Sequence, residues 1–168
     1  KTILALYILS QIKKKTIIVV HKEFLMTQWY DRIVEFIPDA KIGKIQQNTI
    51  DIKDKDIVLA MVQSLSMKEY EEGTFDSFGL AIFDECHHLG AEVFSKCMRK
   101  VASNFMLGLS ATPKRKDGLS KVFEWYIGDI VYLQKKKNED YAEVQLIDCN
   151  FTDIEYIKEE INFRKEPC

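Results

Sequence analysis

Short apolar runs recur along the first 110 residues and are separated by longer stretches with helical periodicity. Four runs have the length and branched composition of buried strands: "TIIVV" at 16–20, "DIVLAM" at 56–61, "LAIF" at 80–83 and "FMLGLS" at 105–110. Three stripes at helical spacing predict helices: Leu4, Tyr7, Ile8 and Ile12; Leu25, Trp29, Ile33 and Phe36; Phe94, Cys97, Met98 and Val101. Strands that alternate with helices predict an α/β fold with a mostly parallel sheet and helices on both faces.

The pattern changes beyond residue 120. "IGDIVYL" at 127–133 predicts a further strand, and "KKKNED" at 135–140 is typical of a solvated connection. "AEVQLIDCNF" at 142–151 alternates like an exposed strand, and Thr152 with Glu155 forms a capping-box pattern before a last helix. We therefore expect a domain at 1–133, and at 134–168 a linker or the approach to a further domain.

Composition narrows the class of protein. With 168 residues and 46% hydrophobic composition, the chain is long enough to bury a core as one domain. Its formal net charge of −2 excludes nucleic-acid binding by bulk positive charge, so any such binding must depend on local contacts. Four cysteines without paired spacing, no signal-like start and no membrane-length apolar run favour an intracellular protein with reduced thiols and no membrane partner.

Candidate chemistry lies where the apolar runs end. Asp84 and Glu85 follow a predicted strand, where one carboxylate can hold Mg²⁺ and the next can orient a water against a terminal phosphate. Lys1 and Thr2 stand at a helix start and offer an ammonium for phosphates and a hydroxyl for Mg²⁺. A Lys-Thr pair followed some eighty residues later by an acidic pair is the order of a P-loop ATPase.

Two motifs carry a resemblance to superfamily 2 helicases. "FDECHH" at 83–88 resembles their D-E-x-H motif. "GLSATPKRKDGL" at 108–119 resembles their Ser-Ala-Thr motif, in the form found in transcription and repair helicases, phage recombination helicases and viral transcript-release helicases. "VVHKEFLMTQW" at 19–29 and "DIVLAMVQSLS" at 56–66 are similar to two further motifs of this group. The resemblance covers roughly residues 1–132 and implies a RecA-like P-loop NTPase domain.

The resemblance also implies roles for single residues. Lys1, Thr2, Asp84 and Glu85 would bind ATP and Mg²⁺, with Asp84 and Glu85 as the catalytic pair. His87, Ser110 and Thr112 would couple the nucleotide to the rest of the motor, and Lys22, Gln63, Ser64 and Arg115 would face nucleic acid. The nucleic acid would be duplex DNA, with RNA left open. The location would be cytoplasm, nucleus or a viral replication or transcription compartment.

The chain departs from the family pattern in two respects. The glycines that precede Lys-Thr in a phosphate loop are absent, which predicts that part of the loop is missing from the chain. Helicases of this family also complete their site with arginines from a second RecA-like domain, for which residues after 132 leave no room. We therefore expect this segment alone to hydrolyse ATP poorly.

Other interpretations remain open from the sequence. Cys86, His87, His88 and Cys97 could instead ligate zinc, although consecutive residues rarely reach one tetrahedral ion. The domain could be a nucleic-acid-binding or scaffolding module without turnover, or a restriction- or chromatin-type translocase. Lys114, Arg115 and Lys116 could be a solvated loop, and Trp29 and Trp125 are expected to be core residues.

Overall fold

The structure is a computed structural model that describes residues 1–85, 91–111 and 120–133. Its elements are α1 (Thr2–Ile12), β1 (Thr16–Val20), α2 (Glu23–Phe36), β2 (Ile42–Gln46), β3 (Thr49–Asp51), β4 (Ile57–Met61), α3 (Val62–Met67), β5 (Leu80–Asp84), α4 (Ala91–Val101), β6 (Phe105–Leu109) and α5 (Ser120–Ile127). They belong to one compact unit, Lys1–Val131. The proposed division at residues 133 and 134 stays a prediction.

The described strands form one sheet in the order β3-β2-β4-β1-β5-β6. β1 lies at its centre and pairs in parallel with β4 and β5, and β5 pairs in parallel with β6. Among the described strands, the β2–β3 hairpin is the one antiparallel pair. The four predicted strands and the mostly parallel sheet are thus confirmed.

Helices cover both faces of the sheet. Alternate residues of β1 point to opposite sides, because side chains alternate along a strand: Ile17 and Val19 join one core cluster, while Ile18 and Val20 join the other. The first cluster includes residues of α3 and α4, and the second includes residues of α1 and α2. This arrangement confirms the prediction of helices on both faces.

The buried faces of two helices differ from the predicted stripes. In α1 the buried residues are Ala5, Leu6 and Leu9, whereas Leu4 and Tyr7 are exposed. α1 is apolar almost all round, so its periodicity does not define a single face. In α2, Leu25, Trp29 and Ile33 are buried as predicted, but Phe36 is half-exposed at the end of the helix and Ile37 packs against the core instead.

The prediction of a strand at 127–133 was wrong. The helix α5 ends at Ile127, and Gly128 follows with a φ of 103°, a left-handed conformation that glycine adopts without a steric penalty. Val122 and Ile127, both in α5, pack against the core. The prediction that Trp125 is a core residue was also wrong, because its side chain is 80% exposed.

Several elements gave no recognised sequence signal. The β2–β3 hairpin and the six-residue helix α3 are too short or too polar for a periodic pattern to single them out. The predicted strand at 142–151 and the helix after Thr152 lie outside the described residues. Within the described part of the chain, no helix has the length and apolar character needed to cross a membrane.

Candidate functional site

The carboxyl ends of the parallel strands β4, β1, β5 and β6 lie side by side at one edge of the sheet. Register places Val20 of β1 opposite Met61 of β4, and Asp84 of β5 opposite Leu109 of β6. In open α/β sheets, ligands bind outside this edge because loops and helix starts converge there. The edge therefore brings together the strand ends that carry the predicted site residues.

The acid pair lies at the end of β5. Asp84 is its last residue and is 7% exposed, whereas the side chain of Glu85 is 21% exposed. Oδ2 of Asp84 accepts a hydrogen bond from Nε1 of Trp29 at 2.8 Å, and Oδ1 accepts one from the backbone N–H of Glu85 at 3.0 Å. Glu85 has a φ of 49°, so the chain turns sharply at this point. The two neighbouring carboxylates thus have different surroundings.

Lys1 lies against this acid pair. Its Nζ forms an ion pair with Oε1 of Glu85, and it is also the N-cap residue of α1. Thr2 is the first residue of the helix and is half-buried. One ammonium, two carboxylates and a helix N-terminus therefore meet at neighbouring strand ends, although Lys1 and Glu85 are 84 positions apart.

This set of groups fits a nucleotide with its divalent cation. Carboxylate and hydroxyl oxygens are the ligands that Mg²⁺ prefers, and an ammonium with free helix N–H groups favours phosphate. Asp84 and Thr2 would hold the cation, and Lys1 would bind the phosphates. No group of three or more His, Cys, Asp or Glu side chains able to hold a metal occurs within the described ranges.

Ser110 directly follows β6 and is half-buried. Since β6 pairs with β5 up to Leu109 and Asp84, Ser110 follows at the strand end next to the acid pair. This confirms the predicted neighbourhood of the two strand ends, while the coupling role of Ser110 stays a prediction. His87, Thr112 and Arg115 lie outside the described residues.

The residues predicted to face nucleic acid lie at the ends of β1 and β4. Lys22 is exposed, and its Nζ lies 5.9 Å from the centre of the Phe24 ring. Gln63 is exposed and donates to the backbone carbonyl of His21, the residue before Lys22, at 3.1 Å. Both side chains are thus exposed near the carboxyl ends of β1 and β4.

Ser64 has different surroundings. It is 8% exposed, and its Oγ accepts a hydrogen bond from the backbone N–H of Gln47 at 2.9 Å. Gln47 has a φ of 50° in the turn between β2 and β3. The Ser64 hydroxyl therefore supports this turn, and its contact with nucleic acid stays a prediction.

The zinc alternative is weakened at Cys97. This thiol is fully buried in the core, its Sγ lies 3.5 Å from the backbone oxygen of Val62, and burial raises its pKa to about 11. Because thiolate is the form that binds metal, a thiol with this pKa is a poor zinc ligand at neutral pH. Cys86, His87 and His88 lie outside the described residues.

One residue of the site was missed from the sequence. Trp29 was expected to be a core residue, and it is fully buried, but its indole also contacts Asp84. Helical periodicity predicts that Trp29 points inward, but it does not predict which polar group accepts a hydrogen bond from its indole N–H. The signal that could have drawn attention to it is the buried indole N–H itself, because such a donor needs an acceptor.

Comparison with known proteins shows the family of the chain. The family model described as "Type III restriction enzyme, res subunit" matches residues 1–115. An ATP-dependent RNA helicase of Acanthamoeba polyphaga mimivirus is 39% identical over 158 residues, which cover 94% of this chain and 30% of that protein. The DNA 3'-5' translocase XPB2 of Sulfurisphaera tokodaii is 38% identical over 142 residues, which cover 84% of this chain and 31% of that protein.

A solved structure gives the same picture. The UvsW helicase from bacteriophage T4 superposes with a TM-score of 0.62 at 25% identity, covering 76% of this chain and 47% of that one. The chain thus spans about 30% of the length of the two curated relatives named above. The chain belongs to the family of the Type III restriction enzyme res subunit, and it is an N-terminal RecA-like domain of the superfamily 2 helicases.

Proposed function

We propose that the full-length protein is an ATP-driven helicase or translocase that acts on duplex DNA inside the cell. The observation that carries this proposal is the ion pair between Lys1 and Glu85 next to Asp84, at the end of a strand whose neighbour leads into Ser110. The choice of DNA follows the XPB2 translocase, whereas the name of the mimiviral relative points to RNA. The experiment below therefore includes both duplex DNA and duplex RNA.

Each residue of the site has a distinct task in this proposal. Lys1 binds the outer phosphates of ATP, and Thr2 and Asp84 hold Mg²⁺. Glu85 orients the attacking water and accepts its proton. When bound, Mg²⁺ neutralises negative charge on the phosphate oxygens. The buried Asp84 and the more exposed Glu85 suit this division, because only the latter needs access to water.

The ion pair between Lys1 and Glu85 gives the site a defined state before nucleotide binds. The phosphates of ATP would compete with Glu85 for the ammonium of Lys1 because they carry more negative charge. Glu85 would then be released to contact the water. Its side chain, which is 21% exposed, leaves room for that movement.

Nucleic acid would be held by the surface that contains Lys22 and Gln63, with Ser64 and Arg115 as further contacts. Ser110, His87 and Thr112 would link the state of the nucleotide to this surface. Arginines of a second RecA-like domain would complete the site, as such residues stabilise the transition state in related phosphoryl transfers. Closure and opening of the two domains would then move the protein along the backbone.

The test is the DNA-stimulated ATPase activity of the full-length protein with Glu85→Gln. Glutamine keeps the size of the side chain and loses the proton acceptor, so kcat should fall by about 10²–10⁴-fold while ATP still binds. Glu92→Gln is a matched control, since Glu92 is an exposed residue of α4 paired with Lys96. Its activity should equal that of the wild type.

Equal rates for wild type and Glu85→Gln would contradict the motor and leave a binding module. If duplex RNA rather than duplex DNA stimulates the ATPase activity, the substrate is RNA. A strand-displacement assay separates the two remaining activities: a helicase releases the displaced strand, whereas a translocase hydrolyses ATP on the duplex without releasing it. The similarity to the XPB2 translocase favours translocation.

A further inference from the structure

Trp29 connects the helix α2 to the acid pair through one hydrogen bond. Its Nε1–H donates to Oδ2 of Asp84 at 2.8 Å, and its side chain is fully buried. Among the described residues it is the largest fully buried side chain, and it belongs to the core cluster formed with α1 and β1. The core thus holds the donor in position, and it contacts a different oxygen of Asp84 from the one that the N–H of Glu85 contacts.

Asp84 is held at both oxygens by neutral donors. Oδ1 accepts the backbone N–H of Glu85 and Oδ2 accepts the indole N–H of Trp29. In the described ranges, the ion pairs of lysine and arginine go to other carboxylates, and Lys1 pairs with Glu85. Among the described residues, Asp84 is therefore oriented by two donors that carry no charge.

We infer that Trp29 is a positioning residue of the cation site and acts through Asp84, an inference that rests on the proposed function. A carboxylate has about four acceptor positions, so two donors fix its plane and leave positions for a cation or its bound water. An indole suits this task because it is rigid, donates one hydrogen bond and has no charge. A lysine at this place would compete with the cation for the same carboxylate.

Two functions of Trp29, filling the core and orienting Asp84, can be separated chemically. Replacement of Trp29 by benzothienylalanine in the full-length protein keeps the shape of the bicyclic ring and puts sulfur in place of the N–H. The core is then filled as before, but Oδ2 of Asp84 loses its donor. The same replacement at Trp125, whose side chain is 80% exposed, is the matched control.

The main readout is metal affinity, which does not require turnover. Mn²⁺ binding, followed by electron paramagnetic resonance with a non-hydrolysable ATP analogue, should weaken by about tenfold or more in the variant at position 29, as for other outer partners of metal ligands. The Mg²⁺ concentration for half-maximal ATPase activity should rise in parallel. Thermal melting should show that both variants are folded, and the variant at position 125 should bind Mn²⁺ like the wild type.

A second measurement uses the unaltered protein. The indole N–H resonance of Trp29, assigned by its loss in Trp29→Phe, should shift when Mg²⁺ and the ATP analogue are added and should move in Asp84→Asn. The inference is overturned if the folded variant at position 29 binds Mn²⁺ with unchanged affinity. It is also overturned if the Trp29 resonance shifts neither on addition of Mg²⁺ and the ATP analogue nor in Asp84→Asn, and Trp29 is then a core residue only. Absence of ATPase activity in the wild type, with metal binding still dependent on Trp29, overturns only the proposed function.

Discussion

At the scale of single residues, the site combines a buried acid with a strained neighbour. Glu85 has a left-handed backbone, which costs a residue with a side chain about 1–2 kcal/mol. The hydrogen bond from its N–H to Oδ1 of Asp84 helps to hold this turn. Such strain is often found at functional sites, where the surrounding structure maintains it. Here it directs the Glu85 side chain to Lys1 while Asp84 faces Trp29.

A pH dependence follows from Cys97. Burial raises the pKa of its thiol from an ordinary value of 9.0 to about 11. Below pH 9 both states keep the proton, but between pH 9 and 11 the unfolded chain loses it while the folded chain retains it, so stability falls as pH rises through this window. The loss should reach about 2–3 kcal/mol, at 1.36 kcal/mol for each pKa unit.

Urea unfolding at pH 8, 9, 10 and 11 would measure this loss. Cys97→Ala should reduce the decline without removing it, because the pKa of the neighbouring Tyr70 is also raised, first by burial and then by its interaction with Cys97. Parallel stability curves for the wild type and Cys97→Ala would show that the thiol does not cause the decline.

At the scale of elements, the edge of the site depends on the ends of four parallel strands, and the outer strands support it. The β2–β3 hairpin lies beyond β4, and its turn is held by the contact between Gln47 and Ser64. Ser64 belongs to α3, which begins directly after β4. The hairpin therefore helps to position α3 and, with it, Gln63 against the backbone of His21.

Gly43 in β2 offers a test of this packing. A Cβ at this position would lie 2.1 Å from the backbone oxygen of Asp51 in β3. The backbone would have to move to relieve this steric clash. Gly43→Ala should lower the free energy of unfolding by about 1–3 kcal/mol, as overpacked sites do. Urea unfolding measures this change, and Lys44→Ala at the next, exposed position of β2 is the control. Equal loss in both variants would argue against a steric cause.

At the scale of the whole molecule, charge does not favour nucleic-acid binding. A net charge of −2 gives these 168 residues no general attraction to phosphates, so any binding by this domain must come from local cations such as Lys22. Lys22 carries charge, whereas Gln63, which contacts the backbone of the neighbouring His21, does not. Their substitution therefore separates electrostatic contacts from neutral ones on the same surface.

Binding of the full-length protein to duplex DNA at several salt concentrations makes this comparison. Lys22→Ala should weaken binding on all sequences and reduce the slope of log K against log salt by about 1, since one fewer counterion is released. Gln63→Ala should weaken binding and leave the slope unchanged. If Lys22→Ala leaves the slope at the wild-type value, this lysine does not contact phosphate.

The sequence by itself determined the four parallel strands β1, β4, β5 and β6, the acid pair and the family. Runs such as 17–20 and 80–83 are apolar at every position, which is typical of a strand buried on both faces. The abrupt change from Phe83 to Asp84 marks the strand end, and α/β topology puts such ends at one edge. Local composition and order along the chain were sufficient for these features.

Tertiary structure alone decided the order of the strands, the buried face of α1 and the partner of Asp84. Trp29 and Asp84 are 55 positions apart, and Lys1 and Glu85 are 84 apart, so no local pattern relates them. The strand predicted at 127–133 is absent because Ile127 ends the helix α5, whose Val122 and Ile127 contact the core, and the chain leaves this helix at Gly128. Contacts between distant residues depend on how apolar surfaces pack together, and local periodicity does not predict that packing.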